Sequence, residues 1–401
     1  MIHKQKGFII FLVILISVNF FNPFGIIEFT LSKVLFTGIC LLGIFTCEIN
    51  KIQIFDRSLI NSYMVLIVSM LLSCFICSVY NEQSFWITLK ACSHFILAYA
   101  FFYVLMGYQI SDEKIIHIIK IICVLSMVVC VVNYISFPTI IFGTENDEYD
   151  TSRGLVRLGV PCIELIVLLF LFFINQYQVS NERKYLYSIG ICFVFIVLSL
   201  TRQIILYSVV LGALLYFKSV PLWKKILFVI LCVGFSLYVL PNIGLFQSMQ
   251  ELTNEQISKN NEGYENIRLI AWRLFTEELQ TNDITRVLGN GYPVVDASPW
   301  SIHVLATYKM MQCFPTDVGW AAFYFYYGII ATISLAFILF RAVLIRKTKY
   351  GYYLTCWFLF VILSDFTSGM ILYPNQIISI TLALYLVYNE NCKQKYQLIN
   401  K

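Results

Sequence analysis

The chain has 401 residues, of which 59% are hydrophobic and only 13% are charged. Soluble domains carry about 25% charged residues, so this composition excludes the ordinary soluble classes and indicates a protein of the bilayer. The formal net charge of +5 follows from basic connections on one side of a membrane, and it therefore predicts no nucleic-acid partner.

Apolar segments of membrane-spanning length follow one another along most of the chain. A spanning helix needs about 20 mostly apolar residues, and twelve segments approach that length. We therefore predict a single membrane domain over 1–401, an all-α polytopic protein with about 12 transmembrane helices. The segments run near 7–22, 29–48, 59–79, 85–107, 115–141, 158–177, 185–200, 203–218, 226–245, 317–341, 352–373 and 376–390.

Lysine and arginine concentrate on alternate connections between these segments, from Lys4 and Lys6 at the start to Lys393 and Lys395 near the end. Cytoplasmic connections carry such an excess. The pattern predicts that both termini are cytoplasmic and that the first apolar segment is an uncleaved anchor.

One long polar interruption, 246–316, separates the ninth and tenth segments and is predicted to face outward as a large extracytoplasmic loop subdomain. Apolar residues at helical spacing predict a short helix over 264–279. The turn Gly289-Asn-Gly291 can bring backbone amides close to a ligand.

Charged residues within the segments cluster toward the outer side, and such residues usually mark function or paired structure. Lys90, Glu164 and Asp365, with Trp272 of the loop, are predicted to line a polar substrate chamber. Internal ion pairing, for instance of Lys90 with Glu164, is the alternative. His94 is predicted to be a hydrogen-bonded packing residue.

Five arginines on predicted outward elements run against the basic-inside pattern: Arg153, Arg157, Arg202, Arg268 and Arg273. Arginine binds phosphate through two parallel hydrogen bonds and keeps its charge, so these residues are predicted to bind the phosphate of an anionic, lipid-borne substrate. A surface helix whose arginines contact lipid headgroups is the alternative for the loop.

Two loop residues are candidates for the catalytic base. His303 is the histidine predicted to lie outside the membrane, and imidazole accepts protons near neutral pH. Asp317, which opens the tenth segment, is the second candidate. The sequence carries no metal-ligand spacing and no phosphate-binding glycine motif, so we expect no metal and no cofactor.

The chain resembles the O-antigen polymerases and O-antigen ligases, a superfamily of polytopic membrane glycosyltransferases with a GT-C-like architecture. The similar features are Thr201-Arg202, Arg268-x-x-x-Trp272, Gly289-x-Gly291, His303, Asp317-Val-Gly319 and the large penultimate outer loop. The polymerase layout fits best. Ligases usually have a glycine a short distance after the histidine, whereas here the next glycine after His303 is Gly319.

The resemblance implies an inverting, metal-independent polymerase of O-antigen, capsule or exopolysaccharide in the bacterial cytoplasmic (inner) membrane. Its donor would be a growing glycan on undecaprenyl pyrophosphate and its acceptor a single lipid-linked repeat unit, with membrane lipid and possible chain-length regulators as partners. The alternatives are an O-antigen ligase, a lipid-linked oligosaccharide flippase, and a membrane acyltransferase or different lipid-dependent glycosyltransferase. A flippase would carry charges along the whole pore, and the predicted inner half has almost none.

Overall fold

The computed structural model describes residues 2–18, 29–47, 56–143, 159–218, 266–345 and 347–399, and the regular structure of these ranges is helical. The helices are α1 Ile2–Val18, α2 Phe29–Phe45, α3 Arg57–Tyr80, α4 Phe85–Tyr108, α5 Asp112–Ile135, α6 Ile163–Ser180, α7 Lys184–Leu198, α8 Arg202–Phe217, α9 Ile267–Arg273, α10 Asp283–Leu288, α11 Pro299–Met311, α12 Gly319–Leu344, α13 Tyr352–Ser364 and α14 Pro374–Ile399.

The described helices confirm a helical membrane protein. Five of them, α3, α4, α5, α6 and α12, are long and apolar enough to cross a membrane. Five shorter apolar helices, of 13 to 17 residues, are α1, α2, α7, α8 and α13. The predicted segment 226–245 lies outside the described residues, so the total of twelve spans stays a prediction.

Basic connections meet at one end of the bundle. Arg341, at the end of α12, donates to Asp56 before α3 over 3.3 Å. Gln178 near the end of α6 donates to the carbonyl of Leu215 near the end of α8 over 2.9 Å. We call this end, where α4, α6, α8 and α12 finish, the basic end.

The opposite end holds the described part of the long loop. Asn81, after α3, donates from its amide to the carbonyl of Asn290 over 2.8 Å. Trp272 of α9 donates to the carbonyl of Phe366, after α13, over 3.2 Å. This loop end is where α3 and α13 finish.

A close pairing of two irregular backbone stretches fixes the loop to the bundle. Helix α12 is broken at Gly328, where φ is 78° and ψ is 175°. The amides of Asn290 and Gly291 donate to the carbonyls of Phe325 and Tyr326 over 3.0 and 2.9 Å. The amides of this turn, predicted to approach a ligand, therefore donate to carbonyls of the protein itself.

Asn290 completes this pairing and is fully buried. Its side-chain amide donates to the Gln280 side chain over 2.9 Å and to the carbonyl of Phe325 over 3.2 Å. Its side-chain oxygen accepts from the Thr281 hydroxyl over 3.0 Å. Irregular backbone at membrane depth needs such internal partners, because lipid supplies none.

We predict that Gly328→Ala destabilises the protein. A Cβ at Gly328 would overlap the Val287 carbonyl oxygen, and its positive φ is costly for alanine. We expect a loss of roughly 2 to 4 kcal/mol in the free energy of unfolding, seen as a lower thermal midpoint in detergent. Gly190→Ala in α7 is the matched control, because open space surrounds that position. Equal midpoints for the two variants would contradict the tight pairing.

The second prediction concerns orientation. Met310 is 76% exposed at the loop end and Tyr350 is 49% exposed at the basic end. On intact cells, a membrane-impermeant maleimide should label Met310→Cys and leave Tyr350→Cys unlabelled until the cells are permeabilised. The parent protein gives the background from native cysteines. Labelling of Tyr350→Cys alone would invert the predicted topology.

Candidate functional site

Two elements that carry predicted arginines meet on the connection between α13 and α14. The hydroxyl of Thr367 donates to the side chain of Gln203, next to Arg202 at the start of α8. The ring of Trp272 stacks on Phe366, with centroids 5.9 Å apart and planes 17° from parallel. We call this meeting point of Gln203, Trp272, Phe366 and Thr367 the 366–367 junction.

Helix α9 presents Arg268 beside this junction. Asn266 caps the helix, its side chain accepting from the amide of Arg268 over 2.9 Å. Leu274 and Phe275, in the π-helical turn that continues α9, are buried against the bundle. Arg268 is exposed, and its guanidinium pairs with no carboxylate among the described residues, so it can accept an anionic ligand.

Arg273 is already engaged. Its Nε donates to Glu278 over 3.0 Å, in a pair whose side chains are 49% and 43% exposed. Such exposed pairs contribute about 0 to 1 kcal/mol, so a phosphate group could displace the glutamate. Arg153 and Arg157 lie outside the described residues.

The structure does not bring the three charged chamber residues together. Lys90 is exposed on α4, on a different face from the buried Thr88 and Cys92. Glu164 is buried and accepts from the amide of Gln376 over 2.7 Å. The ion pair weighed between Lys90 and Glu164 is absent from the described structure, because the two side chains point to different surroundings.

Asp365 has a structural position. It is fully buried, and its Oδ1 accepts from the amide of Ile371 over 3.0 Å. Its carbonyl accepts from the amide of Trp320 over 3.2 Å. Helix α13 ends at Ser364 for this reason, earlier than the predicted segment end at 373, and Asp365 joins the following turn to the start of α12.

The two candidate bases occupy different surroundings. His303 is exposed on α11, which buries Ser301, Val304 and Tyr308 on its other face. Asp317 is half-buried in a short 3-10 turn, Pro315–Asp317, at the base of the loop. Of the two, Asp317 is the one whose neighbouring residues contact the arginine-bearing elements.

Those contacts link the turn to the arginine-bearing elements. The amide of Gly319 donates to the carbonyl of Ser368 over 2.8 Å, next to the 366–367 junction. The thiol of Cys313 lies 3.8 Å from the carbonyl of Ile267 in α9. The segment that carries Asp317 therefore runs between α9 and the connection after α13.

A cavity of 560 Å³ lies on the other side of this segment and was not anticipated from the sequence. Its walls include Lys33, His94, Tyr292, Thr316, Tyr326 and Tyr373. We call it the loop-end cavity. The tyrosines are scattered between positions 292 and 373, so the dense run Tyr324-Phe-Tyr-Tyr327 was the one signal available.

His94 differs from its prediction. It is only 7% exposed and lines the cavity, but it makes no hydrogen bond with another residue. None of the described residues supplies the expected hydrogen bond to His94, and its buried imidazole faces the cavity.

No group of His, Cys, Asp and Glu side chains in the described ranges has the arrangement of a metal site. The described cysteines form no disulfide.

Comparison with protein-family models gives no match, and comparison with curated proteins finds none that is significantly similar.

Proposed function

We propose that this protein polymerises lipid-linked oligosaccharide repeat units, transferring a growing glycan from undecaprenyl pyrophosphate to the sugar of the next unit. The observation that carries the proposal is the 366–367 junction. There the start of α8, with Arg202, and helix α9, with Arg268, reach neighbouring residues of one connection. Cationic groups at the loop end of an apolar bundle suit an anionic substrate whose tail stays in lipid.

The pyrophosphate of the donor would bind at the arginines. Arg202 is the first residue of the 16-residue helix α8, and the first turn of a helix carries amides without intrahelical acceptors and a partial positive charge. As the bond from the anomeric carbon to the pyrophosphate breaks, negative charge grows on the leaving group. Preorganised cations stabilise that charge in the transition state.

Asp317 would act as the base. A hydroxyl of the acceptor sugar forms the new bond to the donor's anomeric carbon, and its proton passes to the Asp317 carboxylate. The pyrophosphate leaves from the opposite face with the bonding electron pair, which gives inversion. The position of Asp317, between α9 and the loop-end cavity, supports this role because both reacting partners can approach it.

We predict that lysine does not replace arginine at the pyrophosphate site. Arg202→Lys and Arg268→Lys keep the charge but lose the planar fork that binds two phosphate oxygens. We expect polymerisation to fall by roughly 10-fold or more for each, by analogy with the loss of one transition-state donor. The measurement is long-chain glycan on cells with matched protein levels.

Arg183→Lys is the matched control, because Arg183 is an exposed arginine at the basic end. It should leave polymer length and amount unchanged. If both loop-end variants make full-length polymer, these arginines only contact lipid headgroups. Accumulation of a finished polymer on its lipid carrier in a deletion strain would instead indicate a ligase.

The fourth prediction separates the two candidate bases. Asp317→Asn should reduce turnover of purified lipid-linked repeat units by about 10² to 10⁴, the usual contribution of general-base catalysis. His303→Ala should stay near the parent rate, because His303 lies on the exposed face of α11. The reverse result would transfer the role to His303. Normal turnover by both variants would show that positioning and arginine electrostatics suffice.

A further inference from the structure

We infer that the loop-end cavity binds the saccharide head group of the acceptor lipid, at a subsite separate from the arginines. The inference rests on the proposed function and adds to it a location for the second substrate. It is carried by the cavity's lining, by the unpartnered His94 and by the position of Asp317 beside the cavity wall.

The volume and lining suit a sugar. At 560 Å³ the cavity falls within the range of about 300 to 1,000 Å³ that is usual for small-molecule sites. Tyr292 and Tyr326 form a continuous aromatic wall, with ring centroids 5.0 Å apart. Phe95 extends it, 5.7 Å from the Tyr292 ring. Aromatic faces pack against the C–H faces of pyranose rings.

Polar groups stand among these rings. His94 brings an imidazole that lines the cavity and makes no hydrogen bond with another described residue, so its ring nitrogens can bind a ligand there. Thr316 and Asn375 add a hydroxyl and an amide from the turn before α12 and from the start of α14. Such groups can bind sugar hydroxyls as donors or acceptors.

Lys33 supplies the charge at the wall formed by α2. An ammonium group there complements the phosphate that joins the acceptor sugar to its lipid. The cavity thus combines apolar rings, neutral hydrogen-bonding groups and one lysine, whereas Arg202 and Arg268 belong to elements that contact the 366–367 junction. This difference separates a sugar subsite from a pyrophosphate subsite.

The connecting segment places the cavity next to the proposed chemistry. Thr316 lines the cavity and directly precedes Asp317. On its other side the backbone of Thr316 packs closely on Gly369, where even a methyl group would lie 3.0 Å from the Thr316 Cα. A sugar hydroxyl from the cavity and a donor from the arginine side can therefore meet at Asp317.

The test uses purified full-length protein and two probes. One is the lipid-linked repeat unit that accumulates in a strain lacking this protein, and the other is undecaprenyl pyrophosphate without sugar. Equilibrium binding is measured for the parent, His94→Leu and Ser32→Trp, which places a large ring into the cavity. Val34→Trp on the exposed face of α2 is the matched control. Thermal midpoints verify that each variant is folded.

We expect His94→Leu and Ser32→Trp to bind the glycosylated lipid at least roughly tenfold more weakly, because ring and hydrogen-bonding contacts are lost. Both should bind bare undecaprenyl pyrophosphate as the parent does, and Val34→Trp should match the parent for both probes. Arg202→Ala should weaken the bare lipid instead.

Two other outcomes separate the inference from the proposed function. Parent-like binding of the glycosylated lipid by both folded cavity variants overturns the acceptor subsite and leaves the proposed function intact. If the parent protein binds neither probe, the proposed function is overturned, and the proposed subsite with it.

Discussion

The pairing between the segment 289–291 and the broken helix α12 is the constraint on which the loop end depends. A helix interrupted in lipid leaves carbonyls without partners, and the surrounding bilayer offers no donors. Here Asn290 and Gly291 supply those donors, and Gly328 permits the break. The glycines are required because each Cβ would meet neighbouring backbone or the side chain of Cys77. Together with the hydrogen bonds of Asn81 and Trp272, this pairing attaches the loop to the bundle, and it brings Tyr292 against Tyr326.

After this pairing the chain continues through α11 and the 3-10 turn to the start of α12. This part of the chain lies between two regions of the loop end. The 3-10 turn before α12 separates a cavity with aromatic walls from the surface that bears Arg202 and Arg268. Two hydrogen bonds fix this arrangement. The Gly319 amide donates to the carbonyl of Ser368, and the Asp365 side chain accepts from the amide of Ile371. The proposed polymerase would need two lipid-linked substrates at once, and a divided loop end would accommodate both without requiring them to share one set of ligands.

Hydropathy and helix periodicity were sufficient to predict most helices, because a membrane-spanning helix is specified by composition over about 20 residues. They could not predict which face of a helix meets which neighbour. Lys90 and Glu164 were predicted at a similar depth, but Lys90 is exposed and Glu164 is buried. His303 is exposed because Val304 and Tyr308 form the buried face of α11. The loop-end cavity escaped prediction for the same reason, since Lys33, His94, Tyr292 and Tyr373 become neighbours only after the helices assemble.

The three carboxylates predicted to act at the site, Glu164, Asp317 and Asp365, differ in their burial. Glu164 is buried and accepts a hydrogen bond from the side-chain amide of Gln376. Asp365 is fully buried, and one of its oxygens accepts from the amide of Ile371, so neither carboxylate is exposed to a ligand at the surface. Asp317 is half-buried, and it adjoins both the cavity wall at Thr316 and the contact that Gly319 makes with Ser368. A general base has to be within hydrogen-bonding reach of its substrate. In the proposed mechanism this requirement favours Asp317 over the buried carboxylates of Glu164 and Asp365.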